Sequence, residues 1–86
     1  MNKVMTLALV DDDAAILDSL GLFFAGKGIA TSIYHDAESI LATLQDGADF
    51  DCVVADMRMP GLSGLDLLKA IVARPAAPPV VLITGH

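Results

Sequence analysis

Two apolar, strand-forming runs in this chain end on aspartate. The first run leads into Asp11, Asp12 and Asp13, and the second leads into Asp56. If the two runs are neighbouring parallel strands, their carboxyl ends lie side by side and at least three carboxylates converge. Like charges this close repel unless a cation joins them, and oxygen ligands suit Mg²⁺, which keeps water or phosphate oxygens in its remaining positions. The pattern predicts a metal-dependent phosphate site.

The composition predicts one small domain, residues 1–86. Hydrophobic residues make up 55% of the chain and charged residues 19%, which excludes a disordered tail and favours a compact α/β or α fold. No apolar stretch approaches the ~20 residues of a membrane span, and the amino terminus lacks a signal-peptide pattern, so we expect a cytoplasmic protein without membrane contact. A net charge of −6 predicts that this segment makes no direct contact with nucleic acid.

Strand-like and helix-like segments alternate along the chain. The predicted strands are short and apolar, at residues 4–10, 31–34, 52–55 and 80–83. Helices are predicted to begin after Asp12 or Asp13, near Asp36, and after Ser63. This alternation predicts a parallel sheet. Because the chain stops on a strand, and three helices cannot cover two faces evenly, we expect that part of the covering structure is missing or supplied by another chain.

Apolar spacing and capping residues indicate how the helices face the sheet. The first helix carries a predicted apolar stripe of Ile16, Leu17, Leu20, Phe23 and Phe24. The third opens with a capping box of Ser63 and Asp66. Its predicted apolar positions are Leu65, Leu68, Ile71 and Val72. Gly28 is the expected left-handed residue after the first helix.

Three motifs, at residues 9–13, 56–64 and 81–86, occur in an order and spacing that resemble the receiver domain of two-component response regulators. The resemblance runs from end to end of the sequence and is strongest to receivers fused to bacterial transcription factors. It implies a flavodoxin-like parallel sheet with strand order 2-1-3-4. It also implies that residues 1–86 form a truncated receiver domain that lacks the last helix, strand and helix.

The resemblance also implies roles for particular residues. Asp56 corresponds to the phosphoacceptor, which takes a phosphoryl group from a sensor histidine kinase. Asp11 and Asp12 correspond to the acidic pair that holds Mg²⁺, with Asp56 and the backbone carbonyl of Arg58 as further ligands. Thr84 corresponds to the switch hydroxyl that reports the phosphoryl group. Such a domain is not an enzyme beyond self-phosphorylation and self-dephosphorylation.

The chain departs from the family's pattern in one chemically important respect. The family places a lysine at the end of a fifth strand, and none of Lys3, Lys27 and Lys69 is an obvious substitute for it. We therefore expect Mg²⁺ binding to be retained, whereas stable phosphorylation and switching are impaired in this chain.

Other interpretations of the same residues remain open. Asp11, Asp12 and Asp13 could simply cap a helix and interact with its dipole. A haloacid-dehalogenase-like phosphatase is an alternative, because Asp11 and Asp13 after one strand and Thr84 after another imitate its motifs, although Asp56 then has no role. An association module is a further alternative, in which an exposed last strand at residues 80–83 forms a homodimer or a domain-swapped assembly.

Overall fold

In the computed structural model, residues 4–83 are described and form a parallel β-sheet flanked by helices. The strands are β1 Thr6–Val10, β2 Ala30–Tyr34, β3 Cys52–Asp56 and β4 Val80–Ile83. The helices are α1 Ala14–Ala25, α2 Ala37–Gln45 and α3 Gly64–Val72. All neighbouring strands pair in parallel in the order β2-β1-β3-β4, which confirms the predicted fold class and strand order.

The register of β1 against β3 is held at the amino edge of the sheet. Asp51 Oδ2 accepts hydrogen bonds from the backbone N–H of Thr6 at 2.7 Å and from its hydroxyl at 3.2 Å. The Asp51 amide donates in turn to the Thr6 carbonyl at 2.9 Å. Pairing then continues in step to Val10 opposite Ala55. Asp11 directly follows β1, and Asp56 is the last residue of β3. The alignment therefore brings these two carboxylates together.

Two helices pack on one face of the sheet and one on the other. Ala8, Val10, Val53 and Ala55 point to the face covered by α2 and α3, where they form the larger apolar cluster. Leu7 and Leu9 point to the opposite face and pack with Leu17 of α1. The uneven coverage predicted from the helix count is thus present in the described residues.

The α1 helix begins at its Asp13 cap and faces the sheet with only part of the predicted stripe. Leu17 is buried and Phe24 half-buried, but Phe23 is 58% exposed, so its place in the stripe was wrong. Successive residues are rotated by about 100° around the helix, which puts Phe23 on the flank when Phe24 faces inward. Gly28 has the predicted left-handed backbone, with φ 76°. No helix within residues 4–83 combines the length and apolarity needed to cross a membrane.

The α3 helix has the predicted capping box but buries a different set of apolar residues. Asp66 N–H donates to the Ser63 hydroxyl oxygen at 3.1 Å, and Ser63 N–H donates to the Asp66 carboxylate at 3.2 Å. Leu67 and Ile71 are fully buried, whereas Leu65 is 43% exposed and Val72 is also exposed. The predicted stripe was wrong at these two exposed positions. Ile71 follows Leu67 at helical spacing, and that face turns toward the sheet.

Replacing the two leucines of α3 separately tests this orientation. We expect Leu67→Ala to lower the free energy of unfolding by about 2–5 kcal/mol, because a fully buried side chain leaves a cavity. Leu65→Ala is the matched control and should cost less than about 1 kcal/mol. Urea titrations followed by circular dichroism measure both. Equal losses for the two variants would contradict the orientation of α3.

Candidate metal centre

Three carboxylates meet at the carboxyl edge of the sheet. Asp11, Asp12 and Asp56 each offer an oxygen, and these oxygens all lie within 4.8 Å of one another. Asp11 and Asp56 are only 2% and 4% exposed, whereas Asp12 is exposed. The structure therefore brings together the three side chains singled out in the sequence, as two buried carboxylates and one at the solvent side.

Asp11 carries an unsatisfied oxygen. Its Oδ1 accepts a hydrogen bond from the Asp13 amide at 2.9 Å, but its buried Oδ2 has no hydrogen-bond partner within residues 4–83. An unpaired buried polar group costs about 1–3 kcal/mol, and more when it is charged. A hard cation bound by carboxylate oxygens offsets that cost, since Mg²⁺ accepts oxygen ligands and tolerates water in its other positions. The oxygen donors, and the buried Asp11 oxygen without a partner in the described residues, thus fit Mg²⁺ in their chemistry.

Asp13 has a structural role that differs from the roles of Asp11 and Asp12. Its Oδ1 accepts hydrogen bonds from the amides of Ala15 at 2.9 Å and Ile16 at 3.4 Å, which makes it the N-cap of α1. Capping satisfies amide groups that otherwise have no partner in the first helical turn. The local interpretation of the aspartate run is therefore correct for Asp13, while Asp11 and Asp12 face the cluster.

Asp56 is fixed by the strand end and the turn that follows it. Its Oδ1 accepts a hydrogen bond from the Arg58 amide at 3.2 Å, and its Oδ2 has no hydrogen bond within residues 4–83. The Met57 amide donates to the Ile83 carbonyl at 2.8 Å, which holds the end of β3 against β4. One oxygen of Asp56 is thus oriented by the backbone, and the other is available for chemistry.

Gly64 allows α3 to begin directly against this turn. A Cβ placed on Gly64 would overlap the backbone carbonyl oxygen of Asp56 and lie 2.9 Å from the Met57 Cα. The Gly64 amide donates to the Met57 carbonyl at 3.2 Å, which fixes the approach. This role of Gly64 was not predicted from the sequence. The available signal was a glycine directly after the Ser63 cap, where a better helix former is otherwise favoured.

Burial and neighbouring negative charges both raise the pKa of the Asp11 carboxyl. Burial raises the pKa of its carboxyl above the ordinary value of 3.8, and the negative charges of Asp56 and Asp12 raise it further. The hydrogen bond from the Asp13 amide lowers the pKa but does not reverse the direction. The ionised cluster is therefore electrostatically unfavourable by itself, which is the condition that a bound cation relieves.

The remaining predicted site residues have different outcomes. Arg58 contributes its amide to Asp56, and the proposed ligand role of its carbonyl stays a prediction. Thr84 and Lys3 lie outside the described residues, so the switch role of Thr84 also stays a prediction. Lys27 follows the carboxyl end of α1, with its Nζ 5.5 Å from the centre of the Phe23 ring.

Comparison with known proteins identifies what the chain resembles. The family model described as response regulator receiver domain matches residues 7–86. The transcriptional regulatory protein FixJ of Bradyrhizobium diazoefficiens is 42% identical over 78 residues, which are 91% of this chain and 38% of that protein. The C4-dicarboxylate transport transcriptional regulatory protein DctR of Rhodobacter capsulatus is 45% identical over 83 residues, which are 94% of this chain and 42% of that protein.

A solved structure agrees with these sequence matches. A response regulator receiver protein from Pseudomonas putida superposes with a TM-score of 0.88 at 28% identity, over all of this chain and 72% of that one. The chain spans only about two fifths of the curated relatives' lengths. The comparisons give no support to the phosphatase or to the association module as the function of the chain.

The raised pKa of Asp11 predicts how stability without metal depends on pH. A carboxyl whose pKa is higher in the folded than in the unfolded chain binds more protons when folded, so its contribution to stability falls as pH rises from about 3.8 through the folded pKa. At neutral pH with chelator present, Asp11→Asn should therefore unfold with a free energy about 1 kcal/mol higher than the parent chain. The difference should shrink toward pH 3.

Chemical denaturation across this pH range in EDTA measures the effect. Asp18→Asn, which removes an exposed carboxylate of α1, is the control and should follow the parent chain closely. If Asp11→Asn is less stable than the parent chain at neutral pH without metal, the electrostatic description of the cluster is wrong.

Proposed function

This chain belongs to the family of response regulator receiver domains, and from that premise we propose that it accepts a phosphoryl group on Asp56. Asp11 and Asp12 hold Mg²⁺ together with Asp56, and the Arg58 carbonyl completes the protein ligands. A sensor histidine kinase is the phosphoryl donor. Thr84 is the hydroxyl that responds to the phosphoryl group.

The observation that carries this proposal is the position of Asp56 within the acidic cluster. Its carboxylate is nearly buried, lies within 4.8 Å of Asp11 and Asp12, and presents an oxygen that accepts no hydrogen bond within residues 4–83. If Asp56 only ended a strand, two further acids beside it would be unfavourable, because the three carboxylates repel one another. A cation site next to a nucleophile explains why the three carboxylates lie together.

The chemistry required of the chain's own residues is modest. An Asp56 carboxylate oxygen forms a bond to phosphorus while the bond from phosphorus to the donor nitrogen breaks, so the phosphoryl group moves without net oxidation or reduction. The Arg58 amide holds Oδ1 and thereby orients the carboxylate. Mg²⁺, when bound, supplies positive charge that screens the phosphoryl oxygens from the three aspartates.

The activity that we propose for this chain is that of a receiver domain, which differs from that of an enzyme. The chain is a receiver domain of the kind found in transcriptional regulators and not a classical enzyme. Self-phosphorylation from small donors and self-dephosphorylation are the only turnover we propose.

Phosphorylation and metal binding can be tested on the same set of variants. With Mg²⁺ and either a small phosphodonor or beryllofluoride, we expect an adduct on Asp56 by intact-protein mass spectrometry, which Asp56→Asn lacks. Asp12→Ala should weaken Mg²⁺ binding at least about tenfold, since it removes a ligand. At ten times its Kd, Mg²⁺ should stabilise the parent chain by about 1.4 kcal/mol.

Asp13→Ser is the control for metal binding, because it removes a neighbouring carboxylate while keeping an oxygen that can cap α1. It should retain the Mg²⁺ affinity of the parent chain. If the Asp11, Asp12 and Asp56 variants all bind Mg²⁺ as tightly as the parent chain, the ligand assignment is refuted. Turnover of an aryl phosphate that survives Asp56→Asn would favour the phosphatase alternative instead.

A second copy of the chain is a further proposed partner. Within residues 4–83, β4 is an edge strand of the sheet, and its Val81 is 48% exposed. Edge strands with apolar side chains pair readily with other strands. A homodimer, including one formed by exchange of elements, would cover this edge.

Light scattering of the 86-residue chain at high micromolar concentration tests this association. We expect a dimer or larger assembly, and Val81→Lys should shift it toward the monomer, because a charge at a sheet edge opposes strand pairing. Leu22→Lys, which changes an exposed apolar residue of α1, is the matched control and should leave the mass unchanged. A monodisperse monomer of the parent chain would contradict the proposal.

A further inference from the structure

A groove lies at the edge of the sheet opposite the carboxylate cluster. It is formed by the carboxyl end of α2, the loop that precedes β3 and the turn between α3 and β4, and it has a volume of about 380 Å³. Its walls include the aliphatic side chains of Leu44, Ala48 and Ala77. This size is within the range of small-molecule sites, which are commonly apolar clefts with a few fixed polar groups. The receiver chemistry at the other edge makes no use of it.

Arg74 supplies a fixed cation to this groove. Its Nη2 donates a hydrogen bond of 2.9 Å to the carbonyl of Leu44 at the end of α2. The side chain is half-buried and forms no ion pair with any residue between 4 and 83. A guanidinium has five N–H donors, so most of them remain free after this bond. Paired donors in a fixed plane match the two oxygens of a carboxylate.

The backbone of the same groove is strained. Ala76 has φ 54° and is the one non-glycine residue of the described chain with a positive φ. It also lines the groove. The left-handed conformation is unfavourable for an L-residue, and strain of this kind occurs preferentially at ligand sites. An anchored cation and a strained residue therefore lie on the same turn and line one cavity.

The charges around the groove select the class of ligand. Asp49 also lines it, and the chain has a net charge of −6, so a simple anion would be repelled as it approached Arg74. A zwitterion has no net charge and can place its carboxylate at Arg74 and its ammonium group at Asp49. We propose that this groove binds a small zwitterion with an aliphatic body, the chemical class of the free α-amino acids. The proposal is independent of phosphorylation at Asp56.

Binding can be measured with leucine as the probe and two analogues that each lack one charge. Leucine titrated into the ¹⁵N-labelled chain should shift the amide signals of Gly47, Ala48 and Ala77 saturably, with a Kd of about 1 mM, as expected of an open groove. 3-Methylbutylamine lacks the carboxylate and should bind at least about tenfold more weakly. 4-Methylpentanoate lacks the ammonium group and should bind at least about threefold more weakly.

Two variants separate binding from the structural role of Arg74, which also caps α2. Asp49→Asn changes an exposed side chain and should weaken leucine binding about threefold while leaving the melting temperature unchanged. Arg74→Gln should abolish the shifts, and if it fails to fold, Asp49→Asn alone decides the outcome. Asp18→Asn on α1 is the control and should bind leucine as the parent chain does. Absence of saturable shifts, equal shifts with all three probes, or unchanged affinity in Asp49→Asn would overturn the proposal.

Discussion

The alignment of β1 with β3 is the constraint on which the acidic site depends. Thr6 and Asp51 are paired through backbone and side chain at the amino edge, and Asp11 and Asp56 lie the same number of residues further along their strands. A slip of one residue between the strands would turn one of the two carboxylates to the opposite face of the sheet. The electrostatics of the carboxyl edge are therefore set by hydrogen bonds made at the other end of the strands.

This alignment places like charges together, and the chain compensates for only part of their repulsion. The amides of Asp13 and Arg58 each donate to a carboxylate two residues earlier, so the turns that follow the strands supply dipoles to the cluster. Dipoles solvate the charges without cancelling them, and Asp11 Oδ2 receives no such donor within residues 4–83. The remaining unfavourable energy is present only when the chain is folded. Cation binding and folding are consequently linked, since an ion that binds the folded cluster stabilises that state.

The strand order was predicted correctly from the resemblance of three motifs to receiver domains. The sequence itself was sufficient for the convergence of Asp11, Asp12 and Asp56, because this follows from parallel pairing of apolar runs that end on acids. It was insufficient for the orientation of α1 and α3. A continuous apolar run such as Leu22, Phe23 and Phe24 is compatible with several helix rotations, and packing on the sheet selects one of them. The contact between Gly64 and the Asp56 carbonyl, and the strained backbone at Ala76, arise from tertiary approach and have no periodic signal in the sequence.

The close start of α3 also determines the surroundings of the cluster. Since Gly64 lets α3 begin against the end of β3, Leu67 packs into the apolar cluster that contains Ala55, the residue directly before Asp56. An apolar environment on this side strengthens electrostatic interactions of the carboxylates, both their mutual repulsion and their attraction for a cation. Asp12 is the exposed member of the cluster, so the cluster is accessible to solvent on that side. Burial by this packing raises the pKa of Asp11, while Asp12 remains the accessible member of the cluster.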